Sequence, residues 1–179
     1  TQIGIIKHYE KIANSSPLPL ILYNVPGRTS SNLTASTTLT LSQHQNIIGI
    51  KEASGDLLQC MCIAQQKPSD FLLLSGDDLL TTPMIAIGAT GVISVLANAF
   101  PKKFTTMVNK ALQGKFLEAA KQTFEFLSIN ALMYHEGNPT GIKAALHIKK
   151  ICEDYMRLPL LKASKELKER IKSNSQYLE

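Results

Sequence analysis

Four short apolar runs, separated by helix-like stretches, constrain this chain more than anything else in it. The runs are Leu18–Tyr23, Ile47–Ile50, Phe71–Leu74 and Val92–Val95, and each ends in polar or glycine-rich sequence. Each is too short for a buried helix and favours a strand. Between them Leu33–Gln43, Leu57–Gln66 and Leu79–Ile87 have helical content, and Ile5–Ala13 carries the same pattern ahead of the first run. Continuous apolar strands alternating with helices predict a parallel sheet whose strands are buried on both faces.

After Asn98 the pattern is helical throughout. Pro101 opens a helix that runs to about Gln113, with Gly114 as its stop. A second helix holds Phe116, Ala119, Ala120, Phe124, Leu127 and Ala131 at helical spacing. Asn138-Pro139 opens a third, and Leu158-Pro159 separates it from the last. The predicted division is an α/β part over residues 1–100 and a helical part over residues 101–179. Four parallel strands fit either a small doubly wound sheet or half of a (β/α)8 barrel, since a full barrel takes roughly 250 residues.

Charge and cysteine content narrow the class. Residues 1–100 carry five Lys/Arg against six Asp/Glu, whereas residues 101–179 carry fourteen against eight. The basic excess is therefore local. Its last stretch, from Lys162 to Lys172, mixes both signs around Ala163, Leu167 and Ile171 at i, i+4 and i+8. That is the solvated face of an amphipathic helix rather than a nucleic-acid surface. No apolar run approaches the roughly 18 residues of a membrane span. Cys60, Cys62 and Cys152 make an odd count without C-x-x-C spacing, which favours a reducing compartment such as the cytoplasm. Thr1-Gln2-Ile3-Gly4 has neither an initiator Met nor a leader pattern, and reads as a cut through a longer chain.

In both architectures chemistry collects at the C-terminal ends of parallel strands. The first run ends Tyr23-Asn24-Val25-Pro26-Gly27-Arg28-Thr29, the second Lys51-Glu52-Ala53-Ser54-Gly55-Asp56, and the third Ser75-Gly76-Asp77-Asp78. A lysine ending an apolar strand is partly desolvated, which lowers its pKa and frees its amine to attack a ketone. Taken alone, such a lysine more often points to water, in this case beside Glu52. Tyr23 would neighbour Lys51 and could relay protons, or could simply close the core. The planar fork of Arg28 suits a carboxylate, although a lone arginine is more often surface decoration. Asp77-Asp78 reads as a helix cap rather than a metal pair. His8, His44, His135 and His147 show no ligand spacing, so no metal is expected.

Four motifs in order and in register change the weight of these readings. They are Y-N-V-P-G-R-T at Tyr23–Thr29, G-I-K-E-A-S-G-D at Gly49–Asp56, L-L-S-G-D-D at Leu73–Asp78 and G-V-I-S-V-x-A-N at Gly91–Asn98. Together with Glu136-Gly137-Asn138-Pro139 and Lys143–Leu146, they resemble the dihydrodipicolinate synthase family over essentially the whole chain. The resemblance implies the second half, four βα units, of a (β/α)8 TIM barrel plus a C-terminal helical extension. It implies that Lys51 forms an imine with pyruvate, that Tyr23 shuttles protons, that Ile93 offers a backbone carbonyl near the lysine, and that Gly76 lines the pocket. Arg28 would hold the carboxylate of the aspartate 4-semialdehyde partner, which separates this motif from the similar N-acetylneuraminate lyases. The imine is its own electron sink, so no cofactor is implied. Family members are commonly homotetramers, so a homo-oligomer is implied. The family's first four strands, with a threonine pair, a second tyrosine and a lysine-feedback site, have no counterpart here. The chain alone is therefore expected to lack normal activity, and the other readings are an N-acetylneuraminate lyase-type or other pyruvate aldolase of the same superfamily, or a non-catalytic barrel fragment.

Overall fold

In the computed structural model, which describes residues 1–176 and 178, the four apolar runs form one parallel sheet. Its strands are β1 (Leu20–Asn24), β2 (Ile47–Glu52), β3 (Leu72–Ser75) and β4 (Gly91–Val92), side by side in chain order. That order decides between the two architectures. Right-handed crossovers between successive neighbours bring every connecting helix to the same side of the sheet. A doubly wound sheet instead reverses its strand order at a switch point and carries helices on both faces. The sheet is therefore singly wound rather than doubly wound.

The connecting helices are α1 (Gln2–Ser15), α2 (Pro26–Thr29), α3 (Ala35–Leu41), α4 (Leu57–Gln66) and α5 (Thr81–Ala86). Thr1, Thr34 and Asp56 cap α1, α3 and α4, each accepting the backbone N–H three residues on. Helices α1, α3 and α4 pack side by side. Under the helices, Leu22, Ile50 and Leu73 are 1%, 0% and 0% exposed. On the other face Ile21 and Tyr23 are 41% and 45% exposed. The expectation of burial on both faces is thus corrected. Apolar content shows that a strand can be buried, but only the packing shows which face is covered.

The segment after β1 is a short helix, α2, because Pro26 supplies the fixed φ suited to a first helical position, and it closes at Ser30 with φ 55°. The fourth run is shorter than expected. The Ile93 N–H still bonds the Ser75 carbonyl at 2.9 Å. Ser94 Oγ then accepts the Ala97 N–H at 2.8 Å, starting a 3-10 turn over Leu96–Asn98.

The chain divides into two units, Thr1–Ile93 and Ser94–Glu179. The second is built from α6 (Pro101–Leu112), α7 (Phe116–Glu125), α8 (Leu127–His135), α9 (Thr140–Ile148) and α10 (Lys165–Ser175). Gly114, at φ 77°, ends α6 as expected. One long helix was expected across Phe116–Ala131, but the chain breaks at Phe126. The fully buried Phe126 ring packs on Phe104 and Phe100, with centroids 5.5 and 6.3 Å away. Its N–H bonds Thr123 O, a tightened turn. Phe124 and Leu127, placed on the apolar face by spacing, are exposed. The third predicted helix ends at Ile148, and irregular backbone runs to the cap of α10 at Ser164. Leu167 and Ile171 are buried, as the amphipathic pattern of this last helix required.

Asp154 is buried within that irregular stretch, and its carboxylate accepts Lys162 at 2.8 Å and Lys168 at 2.6 Å. These two hydrogen bonds hold its carboxyl well below the usual carboxylate range. A depressed folded-state value means the stabilisation is complete above the ordinary aspartate pKa of about 4 and fades as pH falls below it. We expect Asp154→Asn to lower the urea midpoint at neutral pH, with the gap to wild type shrinking below about pH 4. A gap that stays constant through that range would show that the ion pairs are not its source.

Candidate active site

The register of the sheet assembles the site. Tyr23 lies opposite Lys51, Lys51 opposite Leu74 and Leu74 opposite Gly91, a single row across all four strands. Because side chains alternate, this row leaves the sheet on the face opposite Leu22, Ile50 and Leu73. Lys51 Nζ sits over the Tyr23 ring, 4.0 Å from its centroid. A half-exposed ring beneath a cation is a favourable electrostatic contact. It also holds the amine beside a phenol, the pair needed for nucleophilic attack coupled to proton transfer.

Gly76 has a clear steric reason to be glycine. A Cβ there would lie 2.7 Å from Ala53 Cβ, 3.0 Å from Lys51 Cε and 3.1 Å from Lys51 Cγ. The missing side chain is the room the lysine stem occupies. Ile93 follows β4 on the same face as Gly91, two residues further toward the strand ends, and is half exposed. Arg28 is exposed on α2, and its guanidinium makes no hydrogen bond or ion pair among the described residues. Tyr23, Lys51 and Gly76 are therefore brought together. Arg28 stands apart on α2, beyond β1.

Glu52 is not beside the Lys51 amine. Alternation sends it to the helix-covered face, where it is 1% exposed. Its oxygens accept Asn24 Nδ2 at 2.9 and 3.1 Å, Gln59 Nε2 at 3.0 Å and the Ser54 N–H at 2.7 Å. Asn32 donates to Gln59 Oε1 at 3.0 Å. The sequence reading missed this network. Its signal was a polar residue directly after each site residue, Asn24 after Tyr23 and Glu52 after Lys51. The expected helix cap is corrected: α5 has Leu80 at its N-cap with no side-chain bond, and Asp77 instead holds the turn before it, its Oδ1 accepting the N–H groups of Leu79 and Leu80 at 3.0 and 3.2 Å.

With this geometry in place, comparison with known proteins is direct. The family model described as the dihydrodipicolinate synthetase family matches residues 1–177. The chain belongs to the dihydrodipicolinate synthetase family. The 4-hydroxy-tetrahydrodipicolinate synthase of Cytophaga hutchinsonii is 50% identical over 167 residues, which are 93% of this chain and 56% of that relative. The synthase of Flavobacterium psychrophilum is 44% identical over 172 residues, 96% of this chain and 59% of that protein. The crystal structure of dihydrodipicolinate synthase from Thermotoga maritima superposes with a TM-score of 0.95 at 31% identity, covering 99% of this chain and 61% of that one. The chain thus spans little more than half the length of the curated relatives it matches.

Other groups in this dihydrodipicolinate synthetase family member are poorer candidates for chemistry. The Cys60 thiol is pushed up to about 12 by burial, and further by the Glu52 and Asp56 carboxylates, so it is a poor nucleophile. His147, Glu153 and Asp154 bring possible metal-ligand atoms within 4.8 Å of one another, a grouping that histidine spacing did not suggest. Asp154 is already held by the two lysine ammoniums, which would repel a cation there. No described helix is long and apolar enough to cross a membrane.

Proposed function

We propose that this chain carries the imine-forming part of a site that condenses pyruvate with aspartate 4-semialdehyde to 4-hydroxy-tetrahydrodipicolinate. The observation that carries the reading is the Lys51 amine seated 4.0 Å over the Tyr23 ring at the strand ends. In this reading the neutral amine attacks the keto carbon of pyruvate, water leaves, and a protonated imine forms on Lys51. The imine nitrogen draws electrons from the neighbouring methyl carbon, which loses a proton and becomes an enamine that attacks the aldehyde carbon; the aldehyde oxygen takes a proton, and the partner's own amino group then closes the ring on the imine carbon and displaces the Lys51 amine. Tyr23 moves the protons, Gly76 leaves space for the lysine, and the Ile93 backbone carbonyl is assigned to the same mouth by its place just after β4. The unpaired guanidinium of Arg28 suits the carboxylate of the aldehyde partner. No step calls for a cofactor.

The sheet then forms the second half of a (β/α)8 barrel, with residues 101–179 as its helical extension and the complementary strands supplied from outside this sequence. The exposed apolar face at Ile21 and Tyr23 fits a wall that other strands complete. Complete barrels would assemble as homotetramers in the cytoplasm, where Cys60, Cys62 and Cys152 stay free. Borohydride trapping tests the imine. Pyruvate and borohydride should add mass to the peptide bearing Lys51, in the chain alone or with the first barrel half of a relative supplied. No adduct in either case would sink the reading. Substrate choice is tested separately in the complemented barrel. Arg28→Leu should raise KM for aspartate 4-semialdehyde about tenfold or more, with pyruvate trapping unchanged. Unchanged synthase kinetics would count against this aldehyde.

A further inference from the structure

The buried carboxylate of Glu52 has no part in the chemistry proposed above, yet it lies directly behind it. We infer that Glu52 is a positioning residue, the centre of a clamp with Asn24, Gln59 and Asn32 that holds Tyr23 and Lys51 in working register from the helix side of the sheet. The inference rests on the reading of Lys51 as the imine-forming lysine, and deepens it.

Register makes the connection. Tyr23 pairs with Lys51, and the next pair along the same strands is Asn24 with Glu52. Asn24 and Glu52 are therefore each one peptide unit from a site residue, on the opposite face. A twist or slip of either strand end that moved the amine off the ring would also have to break the clamp. The bonds leave little freedom. The Leu33 N–H can only donate, and it donates to Asn24 Oδ1 at 3.0 Å. That fixes which way the Asn24 amide faces and points its Nδ2 at both Glu52 oxygens. Gln59 Oε1 accepts from Asn32, so its Nε2 is the end that reaches Glu52. The Ser54 N–H completes a set of four bonds, all from neutral donors. An acceptor-only carboxylate matches that set. The same clamp reaches the Arg28 loop, because Asn32 and Leu33 close the segment that begins at Val25.

Stability alone is a weak reason for such a group. A buried carboxylate bonded only by neutral amides loses much of its hydration, and apolar packing of the same volume would hold β2 against α4 at least as well. Apolar packing would not fix direction. Four hydrogen bonds to two oxygens do, and reaction rate is sensitive to misplacements of about an ångström.

The test uses Glu52→Gln and the exchange variant Glu52→Gln/Gln59→Glu. In the single variant an amide NH2 faces donors that cannot accept from it. In the exchange variant the glutamine at 52 donates to the glutamate at 59, which still accepts from Asn32, so the clamp is rebuilt with its polarity reversed. Two readouts are taken below the melting transition. One is the upfield NMR shift of the Lys51 ε-methylene protons caused by the Tyr23 ring, which needs no pyruvate. The other is the rate of borohydride-trapped adduct formation, with the complementary barrel half present. We expect Glu52→Gln to lose the ring shift and to slow trapping by at least about tenfold while staying folded. The exchange variant should restore both. If Glu52→Gln does not fold, Gln59→Met removes one donor only and should weaken the ring shift in part. A folded single variant that keeps the wild-type shift and rate overturns the inference. So does an exchange variant that folds but gains nothing over the single one. Wild type that shows the ring shift but forms no adduct would refute the imine chemistry and leave the clamp to be judged on the shift alone.

Discussion

Lys51→Ala is expected to abolish the pyruvate adduct entirely, in any assembly in which the unsubstituted chain forms one. In the proposed mechanism the amine is the nucleophile, and no neighbouring group among the described residues can replace it. The Tyr23 hydroxyl cannot form an imine, and the nearby Glu52 lies on the far face of the sheet. Lys51→Arg sharpens the result. It keeps a cation over the Tyr23 ring but offers no neutral nitrogen near neutral pH, so it too should give no adduct. Intact mass after borohydride treatment, followed by peptide mapping, reads both variants. Adduct persisting on Lys51→Ala and mapping to another lysine would remove Lys51 from the mechanism. A merely structural role for the lysine predicts instead that arginine rescues.

Gly141→Ala is expected to destabilise the second unit by about 3 kcal/mol, against the usual trend for such a change. In a helix interior, glycine to alanine normally stabilises by about 1 kcal/mol. Here Gly141 lies in α9 where it meets α8. A Cβ would fall 2.5 Å from the Met133 carbonyl oxygen, 2.6 Å from Met133 Cα and 2.7 Å from the Leu132 carbonyl oxygen. All three are backbone atoms, so no rotamer change relieves the clash and the helices must separate. Met133, Leu132, Ala144 and Ala145 are buried at the same contact and would lose packing. A fall in Tm on the order of 10 °C is expected by calorimetry. A variant as stable as the parent would mean the two helices part without loss.

Much of the site was legible in the sequence because chemistry at strand ends follows a simple rule. Lys51, Tyr23 and Gly76 each end or follow an apolar run, and parallel strands in chain order bring such ends together. Helix boundaries were legible where a side chain caps them, as with Asp56 on α4. They were missed where tertiary packing overrides spacing. Phe124 and Leu127 fit an apolar stripe, yet the break at Phe126 turns them outward. The alternative that pairs Lys51 with Glu52 at the surface fails, because neighbours in a strand point to opposite faces and Glu52 is buried under the helices.

The sequence by itself determined the α/β order, the parallel strands, the family motifs and the choice of Lys51 as the candidate lysine. These rest on local composition and on residue types at fixed spacings. Only the tertiary structure decided which sheet face carries the lysine, that its amine lies over the Tyr23 ring, and that Asn24, Glu52 and Gln59 close a buried clamp behind it. Those outcomes depend on strand register and on which face the helices cover, and both are set by contacts between residues far apart in the chain.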